Sequence, residues 1–411
     1  MRRLFALLGL AGLAVLQSAV PAHAQLTSEL FIACHDQSKV IKVDTSTGTV
    51  TDPFIPTGSG GLSRAIGVSF GPDGNLYATS TDTSQILRYN STTGDFIDVF
   101  VVDVNSGYLF DARFGPDGDL YVPDDHIVQR YDGTTGAPKP AFGQSGAVFS
   151  PGGFFGNIRG LTFGPTGDPL VSTDGGVIYR LDKSSGAATV FATGPGFHGL
   201  TLGPDGNIYA ACPFTSQVVR YDGTTGASMG AFVPVGVGGL NYGTDVAFGP
   251  DGDLYVSSCF GQQILRYDGV TGAFKSVVAN TDTSGYGPVM LAFRPLEVVE
   301  VHIDIKPGSF PNSINPRSKG VIPVAILTTP TFDATTMDPL SVMFGPNGAT
   351  EAHGRGHIED ADGDGDNDLV LHFRTQATGI QCGDTSASLT GQTGGGQAIA
   401  GADSIVTVGC N

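Results

Sequence analysis

Short apolar runs alternate with polar, glycine-bearing turns along most of the chain, and residues 67–100 show the pattern most plainly: "GVSF", "GPDG", "NLYATS", "QILRYN", "STTG", "DFIDVF". "GVSF" predicts an innermost strand, "NLYATS" a second running back, "QILRYN" a third and "DFIDVF" a fourth. The turns have a mechanism. Pro72 fixes φ, Asp73 hydrogen-bonds the local backbone and Gly74 accepts positive φ. Alternating apolar and polar positions let such a sheet pack against a neighbour on each face.

The unit recurs. "FGPDG" begins at Phe70, Phe114 and Phe248, "FGPTG" at Phe163, "LGPDG" at Leu202 and a worn "FRP" at Phe293, in steps of 44, 49, 39, 46 and 45 residues. That period is expected of one propeller blade. A lone four-stranded sheet cannot bury both faces, whereas a closed ring can, leaving only short edges. The ends of the repeat support closure. "LFIACHDQSKVIKVDTSTG" (Leu30–Gly48) has the second half of a blade without "FGPDG", and "VMLAFRP" (Val289–Pro295) has the first half without its partner. Joined, they predict a sixth blade, so the fold class is all-β: a six-bladed β-propeller over 25–298, closed by N-terminal strands on a C-terminal strand.

Composition adds a location. "MRRLFALLGLAGLAVLQSAVPAHAQL" has a basic start, an apolar stretch from Leu4 to Leu16 and an Ala22-His23-Ala24 cleavage pattern, which predicts a signal peptide over 1–24 and a secreted chain. No later segment is long and apolar enough for a transmembrane span. Removing Arg2 and Arg3 with that leader leaves 19 Lys+Arg against 39 Asp+Glu, a net charge of −20. Nucleic acid and anionic membranes would be repelled, so neither is expected as a partner. Of the five cysteines, Cys382 and Cys410 are the expected disulfide. Cys34, Cys212 and Cys259 are an odd set, of which at least one stays free or pairs outside the chain; Cys259 pairing with Cys34 or Cys212 is an open alternative.

Residues 28–296 resemble the NHL-type and streptogramin-lyase-like propellers of secreted bacterial proteins, whose blades carry "GPDGNLY". The resemblance speaks to fold, because these motifs are turns and core. Function is then expected where the repeat breaks: in the long, glycine-rich segments Val101–Tyr108, Ala137–Phe155 and Phe232–Tyr242, at the end of the ring opposite the Pro-Asp-Gly turns. Asp111, Arg159, His198, Thr244 and Asp245 fall at inner-strand starts on that end, with Arg64 just upstream of its blade, and these are the candidate ligand-binding residues, for a polar ligand such as a glycan, a peptide or a protein surface. Streptogramin lyases and peptide-amidating lyases set histidines around the channel mouth to hold a metal. "HGLT" at His198 is similar to their pattern, with His35 and His126 in loops of alternate blades, although no Glu follows any "LY" strand here. A metal-dependent lyase or hydrolase centred on His198 is therefore the alternative to a binding protein. A structural component of an envelope or matrix assembly is a third possibility.

At Pro295 the composition changes, and "VEVHIDIKPGSFPNSINPRSKGVIPVAIL" predicts a second, β-sandwich-like unit over 299–411. It resembles a C-terminal module common in secreted bacterial and archaeal proteins. Within it "DADGDGDNDL" places Asp360, Asp362, Asp364, Asp366 and Asp368 at alternate positions, with Gly365 at the turn. Such carboxylates repel one another unless a cation neutralises them. The loop resembles the D-x-D-x-D-G-x-x-D calcium loops of integrin-like and dockerin-like repeats, which implies structural calcium; a merely solvated acidic turn is the other reading. "HGRGH" offers His353 and His357 as a zinc pair, but its glycines break the helix that would align them.

Overall fold

The computed structural model describes residues 29–102, 108–281, 285–295, 298–394 and 397–410; the expected leader over 1–24 lies outside them. The described residues fall into two compact units, Thr27–Pro295 and Leu296–Asn411. Every described element is a strand or a single 3-10 turn, so the chain is all-β. Among the described residues no helix is long and apolar enough to cross a membrane.

In the first unit the described residues form six four-stranded antiparallel sheets. Five follow chain order, their inner strands being Ala65–Phe70, Arg113–Phe114, Ile158–Phe163, Leu200–Leu202 and Gly243–Phe248. The sixth joins Pro288–Phe293 to Glu29–Cys34, Lys39–Asp44 and Thr49–Ile55, in that order. In it Leu30 is opposite Phe293 and Ile32 opposite Leu291. Burial runs from inside outward. Second strands such as Leu76–Ser80 and Ile208–Cys212 are wholly buried, whereas the fourth strand Phe274–Asn280 is mostly exposed.

The repeat residues work as joints between sheets. In four copies the turn aspartate accepts the hydroxyl of the tyrosine four residues on: Tyr77 to Asp73 at 3.0 Å, Tyr121 to Asp117 at 2.8 Å, Tyr209 to Asp205 at 3.0 Å and Tyr255 to Asp251 at 2.8 Å. The same rings meet the next copy's phenylalanine edge-on, Phe114 on Tyr77 at 4.8 Å, Phe163 on Tyr121 at 5.2 Å, Phe248 on Tyr209 at 4.9 Å and Phe293 on Tyr255 at 4.9 Å. Such pairs contribute about 0.5–1.5 kcal/mol each beyond area burial. The third copy has Thr166 and Leu170 where Asp and Tyr stand elsewhere, and Leu170 packs in one apolar cluster with Leu202 of the fourth.

Each Thr-Gly or Ser-Gly turn glycine lies over the outer strand of the preceding sheet. A Cβ on Gly226 would come within 2.0 Å of the Phe191 carbonyl oxygen, and one on Gly272 within 2.0 Å of that of Phe232; both glycines have positive φ. Only glycine fits so close an approach in that conformation.

In the second unit one apolar cluster takes residues from two sheets. One is ordered Ile303–Ile305, Val321–Ile326, Asp368–Arg374, His357–Glu359, and the other runs Val298–Glu300, Ala398–Ser404, Ser386–Gln392, Met343–Phe344, Ala349–Thr350. Cys382 and Cys410 are disulfide-bonded, with Cα atoms 5.8 Å apart.

Candidate functional site

A cavity of about 320 Å³ is lined by residues from second-to-third strand turns (His35, Asp174, Phe214) and from the entries to inner strands (Ile66, Tyr108, Phe110, Arg159, His198, Tyr242, Tyr286, Val289). Every sheet of the first unit contributes at least one of them.

His198 is set at its place by its own backbone, whose N–H donates to the Ala211 carbonyl at 3.0 Å. Its ring is 6% exposed and lies edge-on to Tyr242, Phe214 and Phe110, with centroids 5.8, 6.2 and 6.4 Å away. Burial, reinforced by the Arg159 charge, pushes the imidazole down to about 3, so it is neutral at physiological pH. The Arg159 guanidinium lies 4.0 Å from the Phe110 ring centre and bonds Asp174 through Nη2 at 2.9 Å and Nε at 3.1 Å. Burial alone would raise the Asp174 carboxyl. The Asn157 N–H at 2.8 Å and the Arg159 guanidinium outweigh it and hold the group below the usual carboxylate range.

Across the cavity, the imidazole of His35 meets the Tyr108 hydroxyl at 3.3 Å and the Asp36 carboxylate at 2.6 Å. Arg64 donates to the same hydroxyl at 3.1 Å and so reaches the wall through Tyr108. Tyr242 stacks on Phe260 with centroids 4.5 Å apart and planes 27° from parallel. Phe214 and Phe260 remain 60% and 52% exposed, which gives the mouth an aromatic rim. The arrangement offers flat apolar faces beside one fixed ion pair, and it can bind and orient a partly polar ligand.

The structure divides the expected residues. Arg159 and His198 line the cavity with His35; His126 is exposed and does not. Asp111 and Asp245, 1% and 0% exposed, are not in the lining. They flank Arg113, which donates to Asp111 through Nε at 3.1 Å and to Asp245 through Nη2 at 3.3 Å, while Asp245 accepts the Leu291 N–H at 2.9 Å. Burial pushes Asp245 up to about 7 despite Arg113. These two carboxylates join inner strands of different sheets. Asp174, Phe214, Tyr242 and Tyr286 were not anticipated. Each stands in a segment without the period, and of the four only Tyr242 belongs to a segment already expected to carry function, Phe232–Tyr242.

A wider hollow of about 630 Å³ is lined by the repeat residues Pro116, Asp117, Tyr121, Phe163 and Pro165 together with Lys183. Its polar groups are engaged in the scaffold, Asp117 by Tyr121 and Lys183 by the Thr166 carbonyl. Cys34, Cys212 and Cys259 are buried free thiols. Burial pushes them up to about 12, 12 and 11, which removes thiolate reactivity.

In the second unit the acidic loop brings together carboxylates of Asp360, Asp362 and Asp368, each offering an oxygen within 4.8 Å of the others. Asp360 accepts the N–H groups of Gly363 at 2.7 Å and Gly365 at 3.2 Å, and Asp368 accepts those of Thr328 at 2.8 Å and Ala361 at 2.9 Å. Gly363 and Gly365 take the positive φ that curls the loop. Asp364 and Asp366 stand outside the trio and interact with each other, the Asp366 N–H donating to Asp364 at 3.1 Å. Three hard oxygen donors on one curled loop fit calcium. Among the described residues, groups of three His, Cys, Asp or Glu close enough to share an ion occur only in the second unit, so neither His35 nor His198 belongs to one.

No protein-family model matches the chain, and no curated protein matches it in sequence. Solved structures match in fold. A chain of a nidogen–laminin complex is 14% identical over 65% of this chain and 98% of its own, with TM-score 0.52. A protein of unknown function from Bacteroides caccae is 12% identical over 65% of this chain and 99% of its own, also with TM-score 0.52. A streptogramin B lyase is 16% identical over 62% and 76%, at TM-score 0.40. The two likenesses at 0.52 establish a β-propeller-like fold for about two thirds of the chain, and they carry no statement about its ligand.

Proposed function

We propose that the chain is a secreted binding protein whose six sheets form a closed six-bladed propeller, and that it takes a glycan or a peptide in the cavity around His198. The observation that carries this reading is the lining: aromatic faces from Tyr242, Phe214 and Tyr286 beside the fixed Arg159–Asp174 pair, with an exposed aromatic rim. Stacking suits the apolar face of a sugar ring or a peptide side chain. A planar guanidinium–carboxylate pair suits hydroxyls and amides. The net charge of the leaderless chain argues against nucleic acid as the ligand.

The metal-dependent lyase or hydrolase is disfavoured by geometry. Zinc catalysis needs three protein donors at about 2.0–2.2 Å from one point. His35 is engaged by Asp36 and Tyr108, His126 lies outside the cavity, and among the described residues His198 belongs to no group of three donors close enough to share an ion. In the second, sandwich-like unit we assign structural calcium to Asp360, Asp362 and Asp368, with Asp364 and Asp366 drawn in on binding.

The test uses the leaderless full-length chain on glycan and peptide arrays, followed by titration of the best ligand. Tyr242→Ala and Arg159→Ala are each expected to weaken binding about tenfold or more. Lys183→Ala, in the wider hollow, is expected to leave it unchanged. No binding on either array, or binding lost with Lys183→Ala and kept with Tyr242→Ala, would overturn the assignment.

A further inference from the structure

The strand Asp368–Arg374 turns Leu369, Leu371 and Phe373 into the apolar cluster of the second unit and leaves Val370 and His372 on the opposite face. His357, on the neighbouring strand His357–Glu359, is paired with Val370 and therefore shares that face, one diagonal step from His372. His353 arrives from the preceding turn. The three rings gather, with centroids 5.1 Å apart for His353 and His372, 5.4 Å for His357 and His372, and 6.4 Å for His353 and His357. Each offers a ring nitrogen within 4.8 Å of the other two.

The turn that delivers His353 is held from below by a carboxylate. Glu351, with its side chain fully buried, accepts the backbone N–H of His353 at 2.5 Å, of Arg355 at 3.1 Å and of His372 at 3.3 Å. One buried group thus anchors the backbone of two of the three histidines. Its Oε1 also lies 3.6 Å from His353 Nδ1, close enough to receive that nitrogen's proton after a small movement. The His372 Nδ1 is buried and has no hydrogen-bond partner among the described residues. Three clustered imidazoles repel one another when protonated, and when neutral the two exposed rings meet water while the buried His372 Nδ1 stays unmet.

We propose that His353, His357 and His372 form a binding site for a divalent transition-metal ion, with zinc(II) as its reference ligand and Glu351 as the positioning residue. Three imidazole nitrogens are the donor set that suits zinc, copper and nickel and excludes calcium and magnesium, which take oxygen. Tetrahedral ligation places nitrogens about 3.3 Å apart, at the metal–nitrogen length of about 2.0–2.1 Å. The exposed His353 and His357 are free to close that remaining gap on the half-buried His372. Three ligands leave a fourth position for water or for a group on a partner. The site is separate from the acidic loop and independent of the cavity assigned above.

The experiment is a zinc titration of the leaderless full-length chain, prepared without a histidine tag and held in saturating calcium, against a competing chromophoric chelator. One zinc per chain is expected. His353→Ala and His357→Ala, both surface changes, should each weaken it about tenfold or more, and the double variant should abolish it. His302→Ala, outside the cluster, should have no effect. Far-UV circular dichroism of the double variant checks that its fold is intact. Glu351→Gln should weaken zinc while the three ligands remain. Absence of zinc binding by the parent chain, or undiminished binding by the double variant, would overturn the site.

Discussion

At the scale of single residues, the most consequential feature is a histidine that cannot easily be charged. His198 is buried among aromatic rings beside Arg159, and its folded-state imidazole titrates near 3. In the unfolded chain it titrates near 6.5. Between those values the unfolded state holds the extra proton, so stability contributed by the neutral ring is present above about pH 6.5 and lost as pH falls below it. His198→Phe keeps the ring contacts and removes the proton. Chemical denaturation at pH 7 and pH 5 is therefore expected to show the parent losing about 2 kcal/mol more than the variant over that interval. Equal losses would mean that the ring is solvated. The same property makes ligand binding in the cavity indifferent to the charge of His198 near neutrality.

At the scale of elements, the acidic loop tests whether a cation holds the second unit together. Asp360 and Asp368 tie the loop to itself and to Thr328, and Asp362 completes the trio. Binding to the folded state alone stabilises by about 2.7 kcal/mol at a hundredfold excess over Kd. Calorimetry should show calcium raising the melting temperature of the second unit, with Asp362→Ala abolishing the increment and the first unit unmoved. A rise that survives the substitution would place the ion elsewhere. Legibility divided along the same lines. Strands and turns were readable because each recurs at a fixed period, whereas the tyrosine–aspartate bonds were not read, although the exceptional third copy changes Asp to Thr166 and Tyr to Leu170 together. The cavity was half readable. Arg159 and His198 start inner strands, a position the period identifies, whereas Tyr242, Phe214 and Asp174 sit where each blade differs. Arg113 reads as an ordinary strand residue, and nothing local shows that it reaches Asp245, 132 residues away. His372 was invisible for a similar reason. Its kinship with His353 and His357 comes from sheet register rather than spacing.

At the scale of the whole molecule, the proposed closed ring makes the cavity a property of all six sheets, because residues far apart in sequence must converge on it. The contacts that join consecutive sheets include those of the sixth. Phe293 packs on Tyr255 of the fifth sheet, and Phe70 of the first packs on Phe31 of the sixth, at 4.9 and 5.2 Å. If the ends close the ring, the strand Glu29–Cys34 is as protected as any interior strand of the first unit. Residue-resolved native-state hydrogen exchange measures this directly. The prediction is that the amides of Ile32 and Leu291 exchange only with global opening of the first unit, at the same free energy as those of Ile208–Cys212. Rapid exchange at Ile32 while Ile208–Cys212 stays protected would contradict the closed ring and, with it, the cavity as a common site.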